Sequence, residues 1–389
     1  SSTALSIATS LLLTGQLRVS QTGVGITGSN IFVNCQGNNL IYGILAQGHG
    51  VNNTGVLTNL TVRNCNISKD ETAISGSNVG LLFRSVENST IYDNNITAKG
   101  SSANIGVSLA ASDDNITIFR NNITVNGSNI QGVYIQSSSS NNSVLNNTLI
   151  LISDGSTNIG VWVIGTSLQN TIANNFIRAT KGVNTNTGIR LQNNGEFTII
   201  QNNTIYTSGS GSNNYGIHFS SFARNVSIRN NVIITNGTTT NYGIAGTTGE
   251  NYGSIVYNNI TASGTSGNMG INLFGGFVNV SWNNITTTGT ANNFGIGLNR
   301  VQNSSIAFNT INTNGTESNY GIYFGTIDNH NNTIINNTIA TFGTTTNSLA
   351  NHGIYVSSGA NNTIANNTIN NTRGDAIKID KALGFVADN

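Results

Sequence analysis

Apolar and polar residues alternate along this chain in runs of four to six, and the runs recur in a fixed order. Alternation at period two is the pattern of a half-buried strand, and no segment sustains the 3.6-residue period of an amphipathic helix. One run reads Asn-φ-Gly-Ile-x-φ (φ apolar or aromatic), as in Asn214-Tyr215-Gly216-Ile217-His218-Phe219 and Asn319-Tyr320-Gly321-Ile322-Tyr323-Phe324. A second reads Asn-x-Ser/Thr-Ile, as in Asn225-Val226-Ser227-Ile228. A third ends at a glycine, such as Gly127, Gly209, Gly237, Gly264, Gly289 or Gly315.

Between the second and third runs stands an asparagine that returns every 25 to 30 residues: Asn94, Asn121, Asn147, Asn175, Asn203, Asn231, Asn258, Asn283, Asn309, Asn337 and Asn367. A fixed polar residue at such a period marks a solenoid. Asparagine tolerates the left-handed conformation that a tight corner needs, which places that conformation at the ladder residue itself. Its amide both donates and accepts, so equivalent side chains bond up the stack. A second column precedes the Gly-Ile run, from Asn78 and Asn104 through Asn214, Asn241, Asn268, Asn293 and Asn319 to Asn351. The expected fold is all-β: a parallel β-helix of about 12 coils, three short strands per coil, around a dry aliphatic interior with internal Asn ladders.

This coil resembles the right-handed parallel β-helix proteins of the pectin-lyase-like superfamily, and most of all their repeat-rich, NosD-like and archaeal or bacterial adhesin-like surface members. The resemblance covers residues 31–380. Residues 1–30 lack the Asn columns and read as an N-terminal cap or assembly strand, and 381–389 as a C-terminal tail. The scaffold hosts many activities, so the resemblance implies fold more than function.

Composition narrows the classes. Charged residues are 7% of the chain and the net charge is +1, with cations scattered, so a phosphate-tracking surface and a nucleic-acid partner are not expected. The longest apolar stretch, around Leu11-Leu12-Leu13, is too short to span a bilayer. The histidines His49, His218, His330 and His352 occupy different slots, so neither a metal site nor a cofactor is expected. Cys35 and Cys65 sit near one corner of consecutive coils, where a disulfide and two buried thiols are both open readings.

Enzymes on this scaffold need clustered ionisable groups on one face. Gly48-His49-Gly50 and Asp113-Asp114 are similar to two polygalacturonase motifs, but in reversed order and without the family's other motifs. The best acid–base candidates are Arg190 and His218, with Glu196, Arg224 and Glu250 in one recurring slot. A Glu-Arg-Glu ion-pair ladder would give the same pattern. Glu87 with Asp113 and Asp114 could hold calcium between coils, but the neutral residues around them favour a solvated turn.

Surface features suggest recognition instead. Tyr134 with Trp162, and Tyr323 with Tyr355, put aromatic rings at the outward position of adjacent Gly-Ile strands, where they could stack on sugars or dock a partner. Asn-x-Ser/Thr acceptors at Asn59, Asn88, Asn115, Asn225, Asn303, Asn331 and Asn361 lie three residues before a strand isoleucine or valine, and Asn126, Asn236 and Asn314 combine the acceptor with Asn-Gly. The reading that follows is a non-catalytic, extracellular structural or adhesive surface protein, glycosylated and assembling with itself head-to-tail or laterally into a filament, sheath or surface layer. The alternatives are a polysaccharide lyase or hydrolase, and a carbohydrate-binding solenoid such as a phage tailspike segment.

Overall fold

The computed structural model describes all residues except 1–3, 45–46, 71–75, 222, 247–251, 326–327, 345–350, 372, 381, 384–385 and 389. Contacts divide the chain into two units, Ser1–Ile199 and Ile200–Asn389. Each is a parallel β-solenoid, and the described residues form strands and turns with no helix, hence no helix long and apolar enough to cross a membrane.

In the first unit, each coil contributes a three-residue strand such as Thr117–Phe119, a turn, and a longer strand such as Asn122–Ile135 that bends at the glycine corner. Parallel register keeps equivalent residues in line. Ile91, Ile118, Val144 and Ile172 form one inward column, and Ile96, Ile123, Leu149 and Ile177 another, all fully buried. Pairing starts ahead of residue 31: Leu5–Ile7 lies on Val24–Ile26 and Leu11–Leu12 on Val33 and Asn34.

The second unit repeats the plan with Ile205, Ile233, Ile260, Ile285, Ile311 and Ile339 in register. Its interior departs from the aliphatic expectation. Thr207, Thr235, Thr287 and Thr313, with Ala262, fill the inward slot that Ala98, Val125, Leu151 and Ala179 fill in the first unit. The hydroxyls of Thr207, Thr287 and Thr313 are buried without a hydrogen-bond partner. Threonine matches valine in shape, so the column packs, at the cost of a desolvated hydroxyl. In the second unit Val386–Asp388 pairs with Thr363–Ala365.

Glycine in the Gly-Ile strand answers to close approach. A Cβ on Gly132 would stand 2.5 Å from the Gly160 carbonyl oxygen and 2.7 Å from Leu149. At the glycine corner, a Cβ on Gly264 would meet Asn241 Nδ2 at 2.2 Å, because the second Asn column occupies that space.

The Asn ladder satisfies every polar atom it buries. Asn121 Oδ1 accepts the Asn94 backbone N–H at 3.0 Å and Asn94 Nδ2 at 2.9 Å. Asn121 Nδ2 donates to Ile91 O at 2.9 Å and to Asn147 Oδ1 at 3.0 Å. The same pattern links Asn231, Asn258, Asn283, Asn309, Asn337 and Asn367 in the second unit. The second column is also joined amide to amide, with Asn214, Asn241, Asn268, Asn293, Asn319 and Asn351 linked at 2.6–2.9 Å, though Asn351 Nδ2 is buried without a partner.

One expectation is corrected. The left-handed residue is the one before each ladder asparagine: Asp93, Arg120, Asn146 and Asn174 in the first unit, Asn202, Asn230, Tyr257, Trp282, Phe308, Asn336 and Asn366 in the second. The turn needs one positive-φ residue to reverse direction. The ladder asparagine itself stays out of the positive-φ region, and its amide bonds along the stack.

Cys35 and Cys65 are disulfide-bonded, with Cα atoms 4.7 Å apart, one coil spacing. Cys65 occupies a ladder slot, since its N–H donates to Asn94 Oδ1 at 3.1 Å. Covalent sulfur thus replaces an amide rung at that corner.

Replacing Asn121 by Ala leaves the Asn94 N–H buried without its acceptor and removes one of the donors to the Ile91 carbonyl. The expected loss is about 3 kcal/mol, read as a lower guanidinium midpoint; an unchanged midpoint would show that the ladder is dispensable.

Candidate binding surfaces

Outward positions of the Gly-Ile strands carry rings in both units. In the first, register aligns Tyr134, Trp162 and Arg190. The two rings stack with centroids 4.8 Å apart, and the Arg190 guanidinium lies 5.3 Å from the Trp162 ring. All three are half-buried. Trp162 Nε1 is buried and has no hydrogen-bond partner, an unmatched donor beside the stack.

In the second unit, two outward columns run side by side along the same strand. The φ slot holds Tyr215, Tyr242, Met269, Phe294 and Tyr320 in register, and the x slot holds Ala245, Asn272, Gly297, Tyr323 and Tyr355. Gly297 leaves room for Tyr323 to lean against Phe294, at 4.9 Å between centroids. Tyr320 joins Phe294, Tyr355 and His352 at 5.0, 5.0 and 5.6 Å. The Tyr323–Tyr355 pair read from sequence is therefore part of a five-ring cluster. Lys378 sits 5.1 Å from the Tyr355 ring, whose hydroxyl donates to Asp380 at 2.5 Å, and that bond pushes its pKa up. His352 Nδ1 accepts the Asp375 N–H at 3.0 Å, and burial holds its pKa below the ordinary value, so the ring is neutral at pH 7.

Two of the acid–base candidates lie against rings. Arg190 lies on Trp162, and His218 is buried with its ring stacked on Tyr215 at 4.3 Å. Glu196 is half-buried at a turn of the first unit and Arg224 is exposed in the second; Glu250 lies outside the described residues. No group of three His, Cys, Asp or Glu residues able to hold a metal occurs among the described residues.

The acidic pair closes a corner, and at Asp113 the expected solvated turn is corrected, because its carboxyl is buried against backbone N–H groups. Asp113 is fully buried; its Oδ1 accepts the Val86 N–H at 2.6 Å and its Oδ2 accepts the Ala110 N–H. Asp114 Oδ1 accepts the Ser140 N–H at 2.6 Å. Burial pushes the Asp113 pKa up from 3.8 to about 7 against the pull of those two N–H donors.

The acceptor asparagines Asn59, Asn88, Asn115, Asn225, Asn303, Asn331 and Asn361 are exposed, and each has positive φ. Their recurrence therefore has a conformational cause, the left-handed corner that asparagine tolerates. Asn126 is half-buried, and Asn236 and Asn314 are exposed, at the glycine corners.

Sequence reasoning missed two ring groups. Arg63, Tyr92 and Phe119 share a column of the first unit, with Arg63 donating to the Tyr92 hydroxyl at 2.9 Å and Tyr92 stacked on Phe119 at 4.8 Å. Beside them Arg120 holds Asp93 through two 2.8 Å bonds. The other group is Tyr257, Trp282 and Phe308, at the slot before the ladder asparagine. Tabulating that slot coil by coil would have exposed them.

Residues 16–177 match the family described as "Right handed beta helix region". No curated protein matches the sequence. Among solved structures the chain is similar to the A-module of the Azotobacter vinelandii mannuronan C-5 epimerase AlgE6, at 11% identity over 92% of this chain and 90% of that one, with a TM-score of 0.44. It is similar to the tailspike protein of E. coli bacteriophage HK620, solved with a hexasaccharide, at 11% identity over 94% of this chain and 59% of that one, TM-score 0.47. It is also similar to the DFA-IIIase from Arthrobacter chlorophenolicus A6, at 10% identity over 94% and 83%, TM-score 0.41. Likeness at this level carries nothing about activity.

Because Asp113 holds its proton in the folded chain at pH values where the unfolded chain has lost it, stability is expected to fall as pH rises from about 4 to about 7. Denaturation midpoints measured across that window should show the slope, and Asp113→Asn should remove its contribution. A slope identical in the two proteins would mean that Asp113 is ionised when folded.

Proposed function

We propose that this right-handed parallel β-helix is a non-catalytic extracellular surface protein whose coils display ring columns to carbohydrate or to a partner. The observation that carries the reading is the Tyr134–Trp162–Arg190 column, two stacked rings with a guanidinium beside them. A flat ring beside a cation suits the apolar face and hydroxyl rim of a pyranose. The five-ring cluster around Tyr320 offers the same chemistry in the second unit.

The ionisable side chains support a scaffold over a catalyst. Arg190 and His218 are held against rings, and Asp113 and Asp114 accept backbone N–H groups at turns. The disulfide supports an oxidising, extracellular setting. Self-association into a filament or surface layer belongs to the same reading, and electron microscopy of the purified protein tests it.

On a glycan array the folded protein is expected to bind at least one saccharide, and Trp162→Ala to weaken that binding about tenfold. Full binding by the Trp162→Ala protein would remove this surface from the reading. Product release from a polysaccharide panel, lost in Arg190→Ala or Glu196→Ala, would establish an enzyme instead.

A further inference from the structure

Seven coils of the second unit present the slot before the ladder asparagine, always at φ between 54° and 60°. Four of them hold asparagine: Asn202, Asn230, Asn336 and Asn366. Three consecutive coils hold Tyr257, Trp282 and Phe308. Bulky aromatic residues are poorly suited to the left-handed region, so the conformation alone disfavours these three. Solvation disfavours them too, since the residues are 58%, 52% and 41% exposed. They nonetheless form an ordered strip, with Tyr257 and Trp282 centroids 6.2 Å apart at 14° and Trp282 and Phe308 4.6 Å apart at 6°. Two independent penalties at three successive rungs call for something that covers the rings.

What lies two residues downstream identifies it. Tyr257-Asn258-Asn259-Ile260-Thr261 and Trp282-Asn283-Asn284-Ile285-Thr286 each place an Asn-x-Thr acceptor just after the ring. Asn259 and Asn284 are exposed, stand in register on adjacent strands, and are bonded through Asn284 Nδ2 to Asn259 Oδ1 at 3.2 Å. A glycosylated amide keeps one N–H, so that bond survives modification. A groove of about 320 Å³ adjoins the strip, lined among others by Trp282, Asn284, Phe308, Thr310, Asn336 and Thr338, none of them charged. The corresponding groove of the first unit contains Asp93 and Arg120, and the same tripeptide at Asn95 and Asn122 follows those charged residues rather than rings.

We propose that Asn284 and Asn259 are N-glycosylation sites and that Tyr257, Trp282 and Phe308 are the platform on which the attached neutral sugars lie. The apolar face of the first sugars covers the rings, and their hydroxyls meet the amides and threonines of the groove. Uncharged lining excludes a selective site for uronates or sulfated sugars, which would need a cation. The proposal rests on the extracellular placement given above, not on the Trp162 surface, so the glycan array can fail while this stands, and the reverse.

The test uses the full chain secreted from a glycosylating eukaryotic cell line, with Trp162→Phe so that Trp282 is the remaining tryptophan. Glycopeptide mapping is expected to find sugar on Asn284 and Asn259. Acrylamide quenching of Trp282 should be suppressed by the glycan, and Asn284→Gln should abolish that protection. Trp282→Asn installs the residue that four other coils of the unit hold at this slot; it is expected to fold, to raise the thermal midpoint of the unglycosylated protein, and to lose the extra stability that glycosylation gives the parent. Bare Asn284 and Asn259, or quenching indifferent to the glycan, would overturn the proposal. So would chitohexaose or cellohexaose protecting Trp282 in a chain whose two asparagines remain bare, because the strip would then serve a sugar from outside.

Discussion

A buried corner that repeats along a stack has to find a partner for every polar atom it encloses, coil after coil. Asparagine solves this because its amide offers one acceptor and one donor group in a short side chain. Asn121 takes two hydrogen bonds on Oδ1 from the preceding coil, and its Nδ2 reaches both the preceding strand carbonyl and the next amide. Each rung is thereby fully paired only when both neighbours are present. The same condition fixes register, since a one-residue slip would turn the aliphatic columns outward and strand the amides.

Once the interior is settled by the ladders, the outward slots are released from structural duty and can differ from coil to coil. The Gly-Ile strand shows this. Ile217, Ile244, Ile271, Ile296 and Ile322 are all isoleucine and fully buried, whereas the residue after each is His218, Ala245, Asn272, Gly297 or Tyr323. Ring clusters grow where variable slots of neighbouring coils happen to agree. Function on such a scaffold is a property of columns rather than of single residues, which is why the Trp162 column, the Tyr320 cluster and the Trp282 strip have different surroundings on one repeated frame.

The few charged groups follow the same logic. Asp113 is tolerated in a dry corner because two backbone N–H groups point at its carboxylate. Arg120 and Asp93 pair on the surface at the turn position where other coils hold asparagine. Low charge is therefore a consequence of a design in which amides and hydroxyls, not ions, supply the wet surface and the buried contacts alike.

The sequence by itself determined the period, the two Asn columns, the inward aliphatic positions and the strand type, because each of these is a constraint that every coil must meet and so leaves a repeated mark. It also pointed to Tyr134 with Trp162 and to Tyr323 with Tyr355, whose partners sit one period away. Tertiary structure alone decided which turn residue takes positive φ, since asparagine stands at both Asn146 and Asn147 and local preference does not separate them. It decided that Cys35 and Cys65 are joined, a question of one coil spacing rather than of composition. It also decided that Phe294, Tyr320, Tyr323, His352 and Tyr355 meet, because rings from two adjacent columns touch only where Gly297 leaves space between them, and no period along one chain records contact across columns.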